Sequence, residues 1–345
     1  MEPDPYAKVM ELARVTQIGA LWHCLCAISR LRIPDLIAEK PLSVPEVAAL
    51  AGVQDGPLLR VLRFTADHGI VTIDGDVVRL TDTGKLLCSD HPMSMWTPFA
   101  AVGMADVAHA LISSMRTGRA AAEEVLGTGF WDYIAARPEE QRIFDQLMQR
   151  QTQGLATAGI PKLDWPESGC VADIGGGLGV VLAAVLNKAP CLRGILIEQP
   201  QVLESAHDYL TGSGVFERCE LRPSGLFAAM PEADVYILSF VLHDWDDLSA
   251  ERILLAAAHK APQGSMLRIF ERLIPDDGSP NESKMFDLGM LLLSGGRERT
   301  LAEFESLLGR TGWQIEQTAP AYGGVHVIQA RRVVYGDAWF DPALL

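Results

Sequence analysis

One heptapeptide constrains the architecture more than any other feature: Asp173-Ile174-Gly175-Gly176-Gly177-Leu178-Gly179. It overlaps the end of a short apolar run, Cys170-Val171-Ala172-Asp173-Ile174, and opens a helical stretch. Glycines at this density let the backbone turn sharply and approach a ligand, and each weakens the fold unless that access is needed. Three more apolar runs follow, at 194–198, 234–238 and 266–270, with helical stretches between them. This alternation predicts an α/β fold, a doubly wound Rossmann-like sheet. Ligands on such sheets bind at the carboxyl ends of the strands.

The order of residues in the loop selects among ligands. A dinucleotide loop, G-x-G-x-x-G/A, needs a small residue where Val180 stands. The pattern is instead an acid followed by G-x-G-x-G through Gly175, Gly177 and Gly179. S-adenosylmethionine (SAM) requires no phosphate site, and Asp173 can serve its ammonium group directly or through water. Glu198 ends the second strand, 25 residues after Asp173. A carboxylate there can accept from both ribose hydroxyls. Loop and strand-end acid together favour SAM over a nicotinamide cofactor.

The N-terminal part has a different pattern. Residues 6–30 read as a helix, and Ser43 and Pro45 mark the start of another. A further helix follows Pro57, and two short apolar runs flank Asp74-Gly75 as a hairpin. Helix, helix and β-wing make a winged-helix pattern, which often binds DNA. The charge argues against that use here. The chain has 29 Lys and Arg against 44 Asp and Glu, net −15, and residues 1–90 hold 9 basic against 12 acidic side chains. Nucleic-acid phosphates and anionic membranes both call for a basic surface. A dimerisation or scaffolding role is expected instead. Residues 101–160 read as mainly helical, interrupted at Gly127-Thr128-Gly129. The expected organisation is therefore a winged-helix-like region at 1–100, a helical linker lining a substrate pocket at 101–160, and a SAM-binding domain at 161–345.

Several classes drop out. The longest apolar run noted, 235–242, is far short of the ~20 residues of a membrane helix. The six cysteines lack zinc spacing, so buried reduced thiols are expected. The acidic, Pro-containing start does not have the makeup of a signal peptide, and a cytoplasmic location is the expectation.

Longer motifs now join these. Val171-Ala172-Asp173-Ile174-Gly175-Gly176-Gly177, Glu198-Gln199-Pro200, Leu242-His243-Asp244-Trp245-Asp246-Asp247 and Gly295-Gly296-Arg297-Glu298-Arg299-Thr300 occur in this order. Over nearly its whole length the chain resembles the SAM-dependent O-methyltransferases of the two-domain plant caffeate and bacterial secondary-metabolite type. The resemblance implies a homodimer joined through the N-terminal region and a small aromatic substrate, with no nucleic acid and no membrane partner. It makes His243 the general base. It implies Glu271 and Glu303, 28 and 60 residues further on, as the acids that orient the base, with Asp287 at the pocket edge. A base suits the chemistry, because a phenol of pKa near ~10 is mostly protonated at neutral pH. By the same analogy Trp245 packs on the adenine and Leu226 covers its other face. Trp131, Phe144, Met148, Phe286 and Met290 are candidates for an apolar acceptor pocket, and each also fits plain core.

Two positions depart from the family pattern. Gly225 stands where an Asp on the cofactor's adenosine is expected, and Ser239 where a Lys near the cofactor is frequent. A lost charged hydrogen bond is worth ~1.5–3 kcal/mol. The departures keep open C-methylation of an electron-rich ring, and a SAM-binding relative that hydroxylates, isomerises or runs a pericyclic reaction. A DNA-binding, ligand-sensing regulator is the remaining alternative class. No metal is expected, because consecutive acids and histidine in the 243–247 motif rarely converge on one ion. No role is read for 333–345.

Overall fold

The computed structural model describes residues 5–333. The chain divides into two compact units. The first runs through Ala105 and takes in Arg142–Leu147; the second holds Asp106–Gln141 and the described residues from Met148 on. The helical region expected as a linker at 101–160 is thus shared between the units and forms no body of its own.

The first unit opens with a 26-residue helix, α1 (Pro5–Arg30). A two-residue strand, β1 (Leu42–Ser43), leads into α2 (Val44–Ala51). Ser43 and Glu46 form a capping box there, and Pro45 sits in the first turn, where its missing N–H costs nothing. Then come α3 (Asp55–Asp67), β2 (Val71–Asp74) and β3 (Val77–Leu80). The sheet order is β1-β3-β2, which is a winged-helix arrangement. Its core gathers Ile28, Val47, Leu58, Leu62, Val71 and Val78.

The second unit is built on a seven-stranded sheet. Its elements in order are β4 (Gly169–Ile174), α4 (Val180–Lys188), β5 (Leu192–Glu198), α5 (Pro200–Gly212), β6 (Cys219–Pro223) and β7 (Val235–Ser239). After these come α6 (Asp247–Lys260), β8 (Met266–Arg272), α7 (Ser283–Leu293), α8 (Leu301–Arg310), β9 (Trp313–Tyr322) and β10 (Val325–Arg332). The strand order is β6-β5-β4-β7-β8-β10-β9. The first five are parallel, and β10 runs antiparallel to both β8 and β9. Alternation within strands splits the core between two faces. Ala172, Ile174, Tyr236, Leu238, Leu267 and Ile269 lie on one, and Val171, Val235, Ile237 and Phe270 on the other. The carboxyl ends of β4, β5, β7 and β8 therefore present the glycine loop, Glu198, the 240–247 segment and Glu271 along one edge.

Trp96–Thr117 is long and apolar enough on average to cross a bilayer, although it holds no unbroken apolar run of that length. It is broken into short pieces, at Trp96–Ala100, Met104–Val107 and Leu111–Thr117. No disulfide joins the six cysteines, but only Cys26 and Cys88 are buried as expected; Cys24, Cys170 and Cys219 are half-buried and Cys191 is exposed. Residues 334–345 lie outside the described residues.

Candidate active site

The glycine loop adopts backbone conformations that demand its composition. Gly175, Gly177 and Gly179 have φ of +66°, +57° and +79°. Gly176 is required for a different reason: a Cβ there would stand 2.5 Å from Asp173 Cγ and 2.6 Å from Leu196 Cδ1. Asp173 is wholly buried beneath the loop, and among the described residues neither of its carboxylate oxygens has a partner at hydrogen-bond distance. Burial first, and then the nearby Glu198, push its pKa up to about 7. Glu198 is held from both sides. Its Oε2 accepts from Gly177 N–H (3.0 Å) and its Oε1 from Gln199 N–H (2.7 Å). A carboxylate offers about four lone-pair sites, so acceptor capacity remains for ribose hydroxyls. An unpartnered buried acid, an anchored strand-end acid and a loop without side chains fit an amine- and ribose-bearing cofactor.

The other expected cofactor residues divide. Leu226 lies close over the loop, its Cδ2 3.2 Å from where a Gly175 Cβ would be. Trp245 is half-buried and packs edge-on against Phe227, with ring centroids 5.0 Å apart. Ser239 ends β7 with a buried Oγ that has no partner. Gly225 is exposed, with open space where a side chain would stand.

His243 follows β7 in a single 3₁₀ turn, Leu242–Asp244. Its side chain is 12% exposed. Nδ1 lies 2.9 Å from Glu298 Oε1 and 3.4 Å from Glu271 Oε2, while Asp244 Oδ1 is 3.7 Å from Nε2. Glu271, fully buried at the end of β8, also holds the turn itself. Its Oε1 accepts from the N–H groups of Val241 (3.1 Å), Leu242 (3.0 Å) and His243 (3.3 Å). Burial draws the imidazole's pKa down, but Glu271, Asp244 and Glu298 outweigh it and hold the pKa well above the usual value. Burial raises that of Glu271.

Glu303 is not at this cluster. It is the third residue of α8, where it closes a capping box: Thr300 N–H donates to its Oε2 (2.8 Å) and Glu303 N–H to Thr300 Oγ1 (3.2 Å). Its other oxygen pairs with Arg297. The second acid on the histidine is Glu298, five residues earlier. Asp287 acts through it, with Oδ1 accepting from Glu298 N–H at 2.9 Å. Arg299, also unassigned by the sequence reading, is buried and ties the two motifs together. It donates to Leu242 O (2.7 Å), Trp245 O (2.8 Å) and Asp247 Oδ1 (2.9 Å). The signal for these assignments was present: Thr300-x-x-Glu303 is a capping-box signature, which commits Glu303 to the helix start.

His243, Glu271 and Glu298 each offer a donor atom within 4.8 Å of the others, a geometry that a divalent cation could use. The three residues come from separate segments, after β7, at the end of β8 and in the loop after α7, so the spacing within 243–247 does not reveal the set.

Of the expected pocket residues, Phe144 belongs to the first unit, and Trp131, Met148, Phe286 and Met290 to the second. All five are half-buried. Phe286 is linked to the cluster through Arg272, whose guanidinium carbon lies 3.8 Å from its ring centroid and 5.1 Å from that of Phe240. Phe240 in turn lies 5.9 Å from the imidazole, between ring centroids.

Comparison with known proteins decides the family. Residues 109–314 match the model of the O-methyltransferase domain. The chain belongs to the SAM-dependent O-methyltransferases. It is 35% identical over 317 residues to a phenazine O-methyltransferase of Lysobacter antibioticus, covering 90% of this chain and 92% of that one. An O-methyltransferase from neocarzinostatin biosynthesis, solved with SAM and 2-hydroxy-5-methyl naphthoic acid, superposes with a TM-score of 0.79 at 30% identity, covering 90% and 95% of the two chains. The aclacinomycin 10-hydroxylase of Streptomyces purpurascens is 35% identical over 292 residues, 82% of this chain and 78% of the relative. The family is SAM-dependent, and SAM is this chain's cofactor.

Proposed function

We propose that this methyltransferase acts on a phenolic hydroxyl of a small aromatic natural-product intermediate, with His243 as general base, as a homodimer. The observation that carries the reading is the carboxylate-braced imidazole: Nδ1 faces Glu298 and Glu271, and Nε2, with Asp244 Oδ1 3.7 Å away, is the nitrogen that meets the acceptor. A carboxylate on the far nitrogen fixes the tautomer and supports the imidazolium formed when the proton arrives. The relatives' names support an aromatic acceptor, a phenazine among them. The exposed apolar side chains of α1 support the dimer.

When bound, SAM supplies an electrophilic methyl group on a sulfonium and departs as neutral S-adenosylhomocysteine. Glu198 would hold the ribose hydroxyls, and the Gly175–Gly179 backbone would line the amino-acid part above Asp173. Ser239 Oγ, unpartnered at the end of β7, is available where the family frequently has Lys. Glu271 fixes the turn that carries the base, and Glu298 orients the ring. As the acceptor oxygen takes the methyl group, its proton passes to Nε2 of His243.

His243→Gln and His243→Ala test this. Both should bind S-adenosylhomocysteine nearly as well as the parent and lose turnover by about 10²–10⁴-fold. Turnover within tenfold of the parent would remove His243 as the base. Two further measurements bound the reading. Activity unaffected by EDTA excludes the cluster's use as a cation site, and stoichiometric release of S-adenosylhomocysteine with an O-methylated product excludes hydroxylation and C-methylation.

A further inference from the structure

Among the described residues, Arg272 makes no side-chain hydrogen bond. It is the last residue of β8, next in the chain to Glu271, and it is 9% exposed. Charged side chains are buried at this level only when paired, because desolvation costs several kcal/mol. Yet among the described residues no acceptor receives any N–H of its guanidinium, and its Nε is buried and unpartnered. Phe286 and Phe240 hold it in place, at 3.8 and 5.1 Å from guanidinium carbon to ring centroid. A guanidinium packed against aromatic rings keeps the N–H donors along its edges free. Glu298, Glu282 and Glu271 are near enough to act on its charge, but none of them bonds it.

The position is built with some strain. Among the described residues Phe240 is one of two non-glycine residues with positive φ, at +55°. Such a backbone costs about 1–3 kcal/mol and persists where the surroundings over-determine it. Here it places one aromatic ring between the imidazole and the guanidinium, 5.9 Å from the first and 5.1 Å from the second. Packing alone does not call for a guanidinium at the end of β8, since an apolar side chain would fill the same site between Phe240 and Phe286 without a desolvation cost.

We propose that Arg272 is a specificity-determining residue that receives a carboxylate carried by the aromatic acceptor, so that the preferred substrate is a hydroxylated aromatic acid. A planar carboxylate matches the fork of guanidinium donors in a way a neutral ester does not. The proposal rests on the methyl-transfer reading above for the acceptor's ring and hydroxyl.

The test uses full-length protein saturated with S-adenosylhomocysteine, with 1-hydroxy-2-naphthoic acid and its methyl ester as probes. Calorimetry should show the acid binding at least tenfold more tightly than the ester. In Arg272→Met that preference should vanish, and in Arg272→Lys, which keeps the charge and loses the fork, it should shrink. With SAM present, kcat/KM for the acid should fall at least tenfold more than for the ester in Arg272→Met, chiefly through KM. A parent with no preference, including failure of both probes to bind, overturns the proposal. Equal losses for acid and ester in a variant that still binds S-adenosylhomocysteine also overturn it, since they mark Arg272 as packing for Phe286. If Arg272→Met does not fold, Arg272→Lys decides by the same ratio. Arg272-dependent acid binding without methyl transfer would refute the reading of the reaction and leave this proposal standing. Methyl transfer indifferent to Arg272 would do the reverse.

Discussion

At the scale of single residues, the site turns on where charge is placed around one imidazole. Burial alone would make His243 a weaker base. Glu271, Asp244 and the hydrogen-bonded Glu298 reverse the sign and raise its pKa. A stronger base is better matched to a phenol near ~10, but at neutral pH more of it starts out protonated. Only the neutral imidazole can accept the proton, so turnover should climb with pH until that raised pKa is passed. Glu298→Gln keeps the hydrogen-bonding shape and removes one of the raising charges. The rising limb of kcat should move to lower pH by about one unit or more, since a charged hydrogen bond is worth ~1.5–3 kcal/mol. The plateau should fall, because the imidazolium loses support. Profiles recorded from pH 6 to 10 decide it, and an unmoved limb would detach Glu298 from the base.

At the scale of elements, the alternation of strand and helix, the glycine loop and the wing were legible in the chain because each rests on local chemistry. Gly175, Gly177 and Gly179 announce left-handed turns, and Ser43-Val44-Pro45-Glu46 announces a helix start. Glu298 was harder to place, because its role depends on a loop after α7 folding back onto the turn after β7. Phe240's strained backbone and Arg272's missing partner were illegible for the same reason: both are tertiary facts. The fold-back leaves one local trace, at Gly296. A Cβ there would stand 2.0 Å from His243 O and 2.6 Å from Trp245 N, so only glycine lets the loop approach, and Arg297 N–H then donates to His243 O at 2.8 Å. Gly296→Ala must push the Glu298 loop off the histidine turn. Binding of S-adenosylhomocysteine at the glycine loop should survive with a modest change, while kcat falls by a hundredfold or more (~3 kcal/mol). A variant with normal kcat would show that this close approach is not needed to place Glu298. A loss of both binding and turnover would point to global unfolding, which a thermal melt would register.

The whole molecule raises a different problem, posed by α1. Its first two-thirds expose large apolar side chains: Tyr6, Val9, Leu12, Val15, Ile18 and Trp22 are all exposed, Leu12 at 73% and Ile18 at 66%. Spaced mostly by three residues, these side chains wind around the helix and do not form one stripe. Lys8, Glu11 and Arg14 are interleaved with them, and exposed apolar surface of this extent marks a contact face for another chain. Its far end is already anchored within its own unit, where Trp22 packs edge-on against Phe99 (5.0 Å between centroids) and Arg30 donates to Ala100 O and Ala101 O. A second copy of the chain is the occupant the dimer reading names. Burying six such side chains at about 1.5–3 kcal/mol each can exceed the ~4–15 kcal/mol lost in association. Sedimentation should therefore find a dimer at micromolar concentration, and Leu12→Glu combined with Ile18→Glu should convert it to a folded monomer with unchanged binding of S-adenosylhomocysteine. Should the parent sediment as a monomer, or the double variant remain dimeric, α1 would not be the dimer's contact.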